Sequence, residues 1–258
     1  MCSPIWRSSR TSASKRAAER SVEALHEAFP IRQCGGRMPK VPALSACALA
    51  EMGKCLSPCD GSVAPTEYAV VVDRLRESLL AGSERVVASV SSRMTALAED
   101  QRFEDAGSWR DRLVSFLRGA ARTQRLRALT GCEELVAARR EGTGWAVHVV
   151  RHGRLAAAGV IPSGAHAGSW VTQLRASAET VVAGPGPTPA ATAEETEKIL
   201  RWLESDGVRL VHVDGEWSCP VDGATKHLRK HDAVEQSRSS VAPFEDRRGL
   251  RPVHQPVR

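Results

Sequence analysis

Only one tyrosine, Tyr68, occurs in the 258 residues. Any site that needs two tyrosines is excluded. Aromatic residues make up 4% of the chain, too few for a broad platform of rings on which bases stack. Long apolar runs are missing as well. The longest stretch without formal charge, Leu155 to Leu174, contains Pro162, Ser163, Gly164 and Gln173, so no membrane span is expected. Met1 to Arg20 has no apolar h-region and carries Arg7, Arg10, Lys15, Arg16 and Arg20, which reads as no secretory signal. A cytoplasmic location is the expectation, and there cysteines serve as thiols or metal ligands rather than disulfides. Gly184-Pro185-Gly186-Pro187 lacks the Lys-Ser/Thr of a phosphate-binding loop. No C-x2-C pair and no internal repeat occur.

What is present is an ordinary globular composition, 42% hydrophobic and 26% charged. Lys and Arg number 36 against 30 Asp and Glu, a formal charge of +6. That balance favours polyanionic partners such as nucleic acid, weakly. Arg10 to Phe29 reads as an amphipathic helix stopped by Pro30. Cys34 to Gly61 is Gly- and Pro-rich, with a short helix expected over Ser45 to Met52. Pro65 to Ala81 reads as a helix ended by Gly82. Ser83 is placed to cap a further helix, Glu84 to about Asp100, with a narrow seam of Val87, Val90, Met94 and Leu97. A tight turn at Gln101 leads to another helix carrying Phe103, Ala106, Leu113, Phe116, Leu117 and Ala120. That pattern extends to Arg140, with Gly131 a point where it can break. The two form an antiparallel helical hairpin.

After Arg140 the pattern changes. Trp145–Val150 and Leu155–Ile161 read as strands around an Arg151–Arg154 hairpin turn. His166 to Val182 and Glu194 to Glu204 read as helices, Gly184 to Pro189 as a linker, and Val208 to Val213 as a strand. His148, His152 and Arg154 read as solvated guards of a strand edge rather than phosphate ligands. Asp206, Asp214 and Asp222 read as turn aspartates. From Gly223 onward the chain is polar and basic, and reads as a disordered tail.

Four of the seven cysteines, Cys34, Cys47, Cys55 and Cys59, fall in one segment with the spacing C-x12-C-x7-C-x3-C. Four soft thiolates can hold zinc tetrahedrally or an iron–sulfur cluster. A segment this poor in large apolar residues gains folding energy from such a staple. The spacing does not separate the two metals. Cys2, Cys132 and Cys219 are isolated.

The run Phe29-Pro30-Ile31-Arg32-Gln33-Cys34, then Cys47, then Gly53-Lys54-Cys55-Leu56-Ser57-Pro58-Cys59 resembles the cysteine-rich segment of the UvrC family, the nuclease component of the excinuclease ABC system. Met94, Leu97-Ala98-Glu99, Arg102-Phe103-Glu104-Asp105-Ala106 and Arg110-Asp111-Arg112-Leu113 resemble the UVR motif, a hairpin shared by the UvrB and UvrC components of that system. Trp109 departs from the aliphatic residue usual there. The resemblance runs from about Arg20 to Arg122. It implies a cluster, more in keeping with iron–sulfur than zinc, on Cys34, Cys47, Cys55 and Cys59. It also implies binding, through Met94, Leu97, Phe103, Glu104, Ala106, Arg110 and Asp111, to a UvrB-like helicase or the chain's own hairpin, and to DNA.

Family members cut DNA with a GIY-YIG nuclease domain that needs two tyrosines. The single Tyr68 cannot supply them, so the chain on its own is expected not to cut. The run Trp145-Ala146-Val147-His148-Val149-Val150-Arg151-His152-Gly153-Arg154-Leu155 resembles the C-terminal region of bacterial fusions of a DEDD exonuclease with a GIY-YIG nuclease. The expected layout is mostly α with a small α/β C-terminal unit. Residues 1–33 would hold the last helix of a missing nuclease domain, 34–61 the cysteine segment, 62–142 the helical region with its UVR motif near 84–120, 143–222 the α/β unit and 223–258 the tail. The expected function is a non-catalytic component of nucleotide excision repair, a truncated excinuclease-type protein. The alternative is a zinc-binding regulatory adaptor with a UVR motif, of the kind that serves Clp chaperones and arginine kinases, whose cysteines come as C-x2-C pairs.

Overall fold

A computed structural model describes residues 15–35, 47–184 and 189–240. Eight helices and four strands are found among them. Their order is α1 (Lys15–Ala28), α2 (Ala48–Glu51), α3 (Pro65–Leu80), α4 (Glu84–Glu99), α5 (Phe103–Thr130), β1 (Glu134–Glu141), β2 (Gly144–Arg151), β3 (Arg154–Ile161), α6 (Ala167–Ser177), α7 (Ala193–Leu203), β4 (Val208–Asp214) and α8 (Ala224–Ser240). The expectation of a mostly helical chain with a small α/β unit is borne out. Among the described residues no helix is long and apolar enough to cross a membrane.

The spine is α5. Its 28 residues extend about 42 Å at 1.5 Å per residue, long enough to serve two cores. The N-terminal core gathers Ala24, Leu25 and Phe29 from the α1 end, Val86 and Val90 from α4, and Phe116, Leu117, Ala120 and Ala121 from α5. The second core joins Leu126 and Leu129 of α5 to Leu135 and Ala137 of β1, Val150 of β2, and Ile199, Leu200 and Leu203 of α7. Arg122 pairs with Glu197, and Arg125 donates to both oxygens of Glu204 at 2.8 and 2.6 Å, so polar clamps flank the α5–α7 contact.

The sheet is antiparallel, in the order β3-β2-β1-β4. One face packs on α5 and α7. The other packs on α6 through Trp170, Val171 and Leu174. Gly159 lets Trp170 lie against β3, since a Cβ there would collide with the indole.

Three sequence expectations about local structure are corrected. The α5 helix stops at Gly131, and the following residues, up to Arg140 of the expected helix, form β1 instead. The Ala-, Arg- and Glu-containing sequence of β1 looks helical locally, but Leu135, Val136 and Ala137 are completely buried between two strand partners and two helix layers. Tertiary pairing overrides propensity there. The start of the expected tail is also ordered. Residues 224–240 are helix α8, whose Ala224 and Leu228 complete the N-terminal core; 241–258 lie outside the described residues. The buried amide of Gln124 fixes this helix. Its Nε2 donates to the Leu79 and Ala81 carbonyls, and its Oε1 accepts from the Ala224 N–H at 3.0 Å. Ser83 does not cap α4 through its side chain. Its hydroxyl donates to the Ser78 carbonyl instead.

Candidate functional site: an exposed hairpin tip and a cysteine turn

The α4–α5 turn follows from the end of α4. Gln101 N–H donates to the Ala98 carbonyl and Arg102 N–H to the Leu97 carbonyl at 2.8 Å. This is the Schellman pattern of two reversed bonds, and it requires a left-handed residue. Gln101 takes that place with φ 61°. A side chain there costs about 1–2 kcal/mol. Gln101→Gly is therefore expected to raise stability by about 0.5–1 kcal/mol, read as an upward shift in thermal midpoint. A lower midpoint would show that the glutamine side chain itself stabilises the turn.

The turn presents Phe103, which is 68% exposed. Glu104 beside it is exposed, and Arg102 pairs with Asp105 at 2.7 Å. The other hairpin residues sit lower. Leu97 is 2% exposed, and Met94 packs half-buried against the N-terminal core. Ala106, Arg110 and Asp111 are half-buried. Below the tip the hairpin is braced on α1, by Arg20 with Asp111 at 3.9 Å and by Arg112 with Glu23. Arg112 also lies 4.6 Å from the Trp109 ring centre, so the unusual Trp109 belongs to this brace. The seven expected docking residues thus divide into a tip, Phe103 and Glu104, and a supporting stem.

The cysteine segment folds back on the end of α1. Leu56 N–H donates to the Pro30 carbonyl at 3.0 Å, and Lys54 pairs with Glu27 at 2.8 Å. The lone Tyr68 anchors the same strip, its hydroxyl accepting from the Arg32 N–H at 2.9 Å. Between Cys55 and Cys59 the chain turns at Ser57, φ 52°. The Ser57 N–H donates to Cys55 Sγ at 3.3 Å, and its hydroxyl is 3.9 Å from Cys59 Sγ. Hydrogen bonds from Ser62 and Ser57 hold the Asp60 carboxyl below its ordinary range and tie the turn closed. Cys55 is buried, Cys59 half-buried, and Cys34 and Cys47 are exposed. Thiols suit zinc or iron. Among the described residues, however, no three His, Cys, Asp or Glu side chains gather where they could hold a metal ion. Residues 36–46, which join Cys34 to Cys47, lie outside the described residues.

The histidines of the β2–β3 hairpin prove structural rather than edge guards. His148 stacks on Trp202 with ring centres 3.9 Å apart. Burial pushes its pKa down, Glu141 opposes this and Arg139 adds to it. His152 occupies the turn with φ 48°, its Nδ1 3.2 Å from the Thr130 carbonyl. Arg154, on the edge strand, pairs with Glu179 at 3.0 Å.

The chain thus combines a helical core, a pinned cysteine turn and an exposed hairpin tip. Residues 8–78 match the family described as the UvrC/Cho excinuclease, middle domain, which bears out the resemblance read from the cysteine segment. Among individual proteins, a bifunctional exonuclease/endonuclease protein of Mycobacterium tuberculosis is 34% identical over 209 residues, 79% of this chain and 32% of that protein. The UvrABC system protein C of Leptospira biflexa is 32% identical over 98 residues, 38% of this chain and 16% of the relative. That of Shewanella loihica is 29% identical over 122 residues, 47% and 20%. The chain thus spans about a third of the mycobacterial protein and a sixth to a fifth of these two UvrABC system proteins. No solved structure matches.

Proposed function

We propose that this chain is a binding component of nucleotide excision repair. Its hairpin tip docks on a matching hairpin of a UvrB-like helicase, and it acts on DNA in that assembly. The observation that carries the reading is Phe103, a large apolar side chain held in solvent at a turn whose stem is braced from within. The family match over residues 8–78 supports the choice of partner. Exposed aromatics ringed by charges are the usual anchors of small interfaces. Arg102, Glu104 and Asp105 around Phe103 would set partner and register.

Phe103→Ala tests this directly. An exposed residue leaves stability within about 0.5 kcal/mol, so a folding defect does not cloud the result. Calorimetric binding to a synthetic C-terminal hairpin of a UvrB-type helicase is expected to weaken at least ~10-fold, an anchor worth ~1.4 kcal/mol or more. Unchanged binding would sink the docking proposal.

Cys34, Cys47, Cys55 and Cys59 are proposed to share one metal group, zinc or iron–sulfur, that staples the Gly- and Pro-rich segment onto α1. The Ser57 N–H directed at Cys55 Sγ supports this, because such donors stabilise thiolate sulfur. Metal analysis of the purified chain is expected to find a bound group that is lost in a Cys55→Ser/Cys59→Ser variant. Visible absorption would mark iron–sulfur and stoichiometric colourless zinc the other choice. A wild-type chain free of both metals would refute the proposal.

A further inference from the structure

Strand alternation places Glu134, Val136, Ala138 and Arg140 of β1 on one face of the sheet, beside Arg151, Val149, Val147 and Trp145 of β2. On that face α6 packs over β3 and β2. Over β1 and β4 the outermost side chains are Arg140 and Arg209, both exposed, with Trp145 and His212 half-buried. Arg140 is the cross-strand partner of Trp145. Arg209, partner of Ala138, reaches across β1 until its guanidinium lies 5.6 Å from the Trp145 ring centre. The three side chains therefore form one continuous patch.

The charge on this patch is unbalanced in a way the other sheet arginines are not. Arg139 pairs with Glu141, while Arg151 and Arg175 share Glu134. Arg140 and Arg209 pair with no carboxylate among the described residues. The acidic groups of the same face, Glu134 and Asp214, lie at the opposite end of β1 and β4. That is about 15 Å from Arg209 along the strand.

We propose that this open half of the sheet binds an extended single strand of DNA, with Arg140 and Arg209 on phosphates and Trp145 against a base. The Arg209 guanidinium over the half-buried Trp145 ring, with exposed Arg140 on the adjoining strand, brings together the backbone charge and aromatic surface that single-strand binders use. This is a narrow site of one ring, consistent with the low aromatic content. A duplex hides the faces of its bases and could use only the arginines. The net charge of +6 favours approach of the polyanion. The choice of DNA rests on the repair reading above, but the patch is independent of the hairpin tip.

The test uses the full chain and a labelled oligo-dT of about 16 nucleotides, followed by anisotropy from about 50 to 200 mM salt. Arg140→Ala/Arg209→Ala is expected to bind roughly tenfold more weakly, with a salt slope shallower by about 1.4, two phosphate contacts of ~0.7 each. Arg229→Ala/Lys230→Ala on α8, which removes the same charge elsewhere, is expected to behave like wild type. An abasic strand of equal length is expected to bind about fivefold more weakly than oligo-dT. Unchanged affinity in a folded Arg140→Ala/Arg209→Ala protein would overturn the proposal, as would an equal loss in the α8 control. A duplex, an abasic strand, an RNA strand or a polyglutamate competitor binding as tightly as oligo-dT would overturn it too. Binding to the UvrB-type hairpin peptide is read separately by calorimetry, so failure of the docking reading and failure of this one are told apart.

Discussion

Phe116→Ala is expected to destabilise the protein by about 3–5 kcal/mol, the range for removing a fully buried phenyl ring. Phe116 is 1% exposed and belongs to the core built from α1, α4, α5 and α8. Shrinking it to Ala leaves a void among helices that are already clamped, so collapse into the space is limited. Domain stabilities are about 5–15 kcal/mol, so the loss is a large share of the total. Because α5 carries both cores, the effect should not stay local. Urea unfolding followed by far-UV circular dichroism should show one transition at a markedly lower midpoint. A loss under about 1 kcal/mol would mean that the helices close over the cavity. Two separated transitions would mean that the sheet folds independently of the helical core.

Glu134→Gln is expected to cost about 3 kcal/mol at neutral pH, the low end for breaking a buried ion pair. The low end applies because both arginine partners keep some solvent contact. Glu134 is only 8% exposed. It accepts from Arg151 at 2.9 and 2.7 Å and from Arg175 at 2.5 Å. Arg151 also donates to the carbonyls of Arg175, Ala178 and Glu179. One carboxylate therefore holds the end of α6 against the sheet. Burial pushes the Glu134 pKa up, but the hydrogen bonds and charges of Arg151 and Arg175 outweigh it and leave the group below the ordinary carboxylate range. With a depressed folded-state pKa, the stabilisation is present above the ordinary glutamate value and is lost as pH falls through the folded one. The gap between wild type and Glu134→Gln should therefore be widest near neutrality and narrow in acid. Equal midpoints at neutral pH, or a gap that widens on acidification, would contradict this account.

The helical part is legible in the sequence because its signals are local. Pro65 opens α3, Pro30 follows α1, and the 3-4-3 seam of α4 recurs as buried Val90 and Leu97 with half-buried Val87 and Met94. The turn at Gln101 is readable too. Its backbone geometry is not, since nothing in the sequence marks a glutamine for the left-handed region. The cysteine spacing names four residues, but a spacing carries no distances. What it cannot indicate is that Ser57 turns the chain between Cys55 and Cys59 and aims its N–H at sulfur. The Arg140, Trp145 and Arg209 patch is invisible for the same reason. Its members come from three strands, one of which reads locally as helix.

The sequence by itself determined the helix spacing, the hairpin, the cysteine set and the family resemblance, because each depends on residues close together in the chain. Only the tertiary structure decided that residues 134–141 are a central strand and that 224–240 are a packed helix. Both segments are locally ambiguous or polar, and each acquires its conformation from partners far away. For β1 these are β2 and β4 with the α5–α7 layer. For α8 they are the Gln124 amide and the apolar surface of α5.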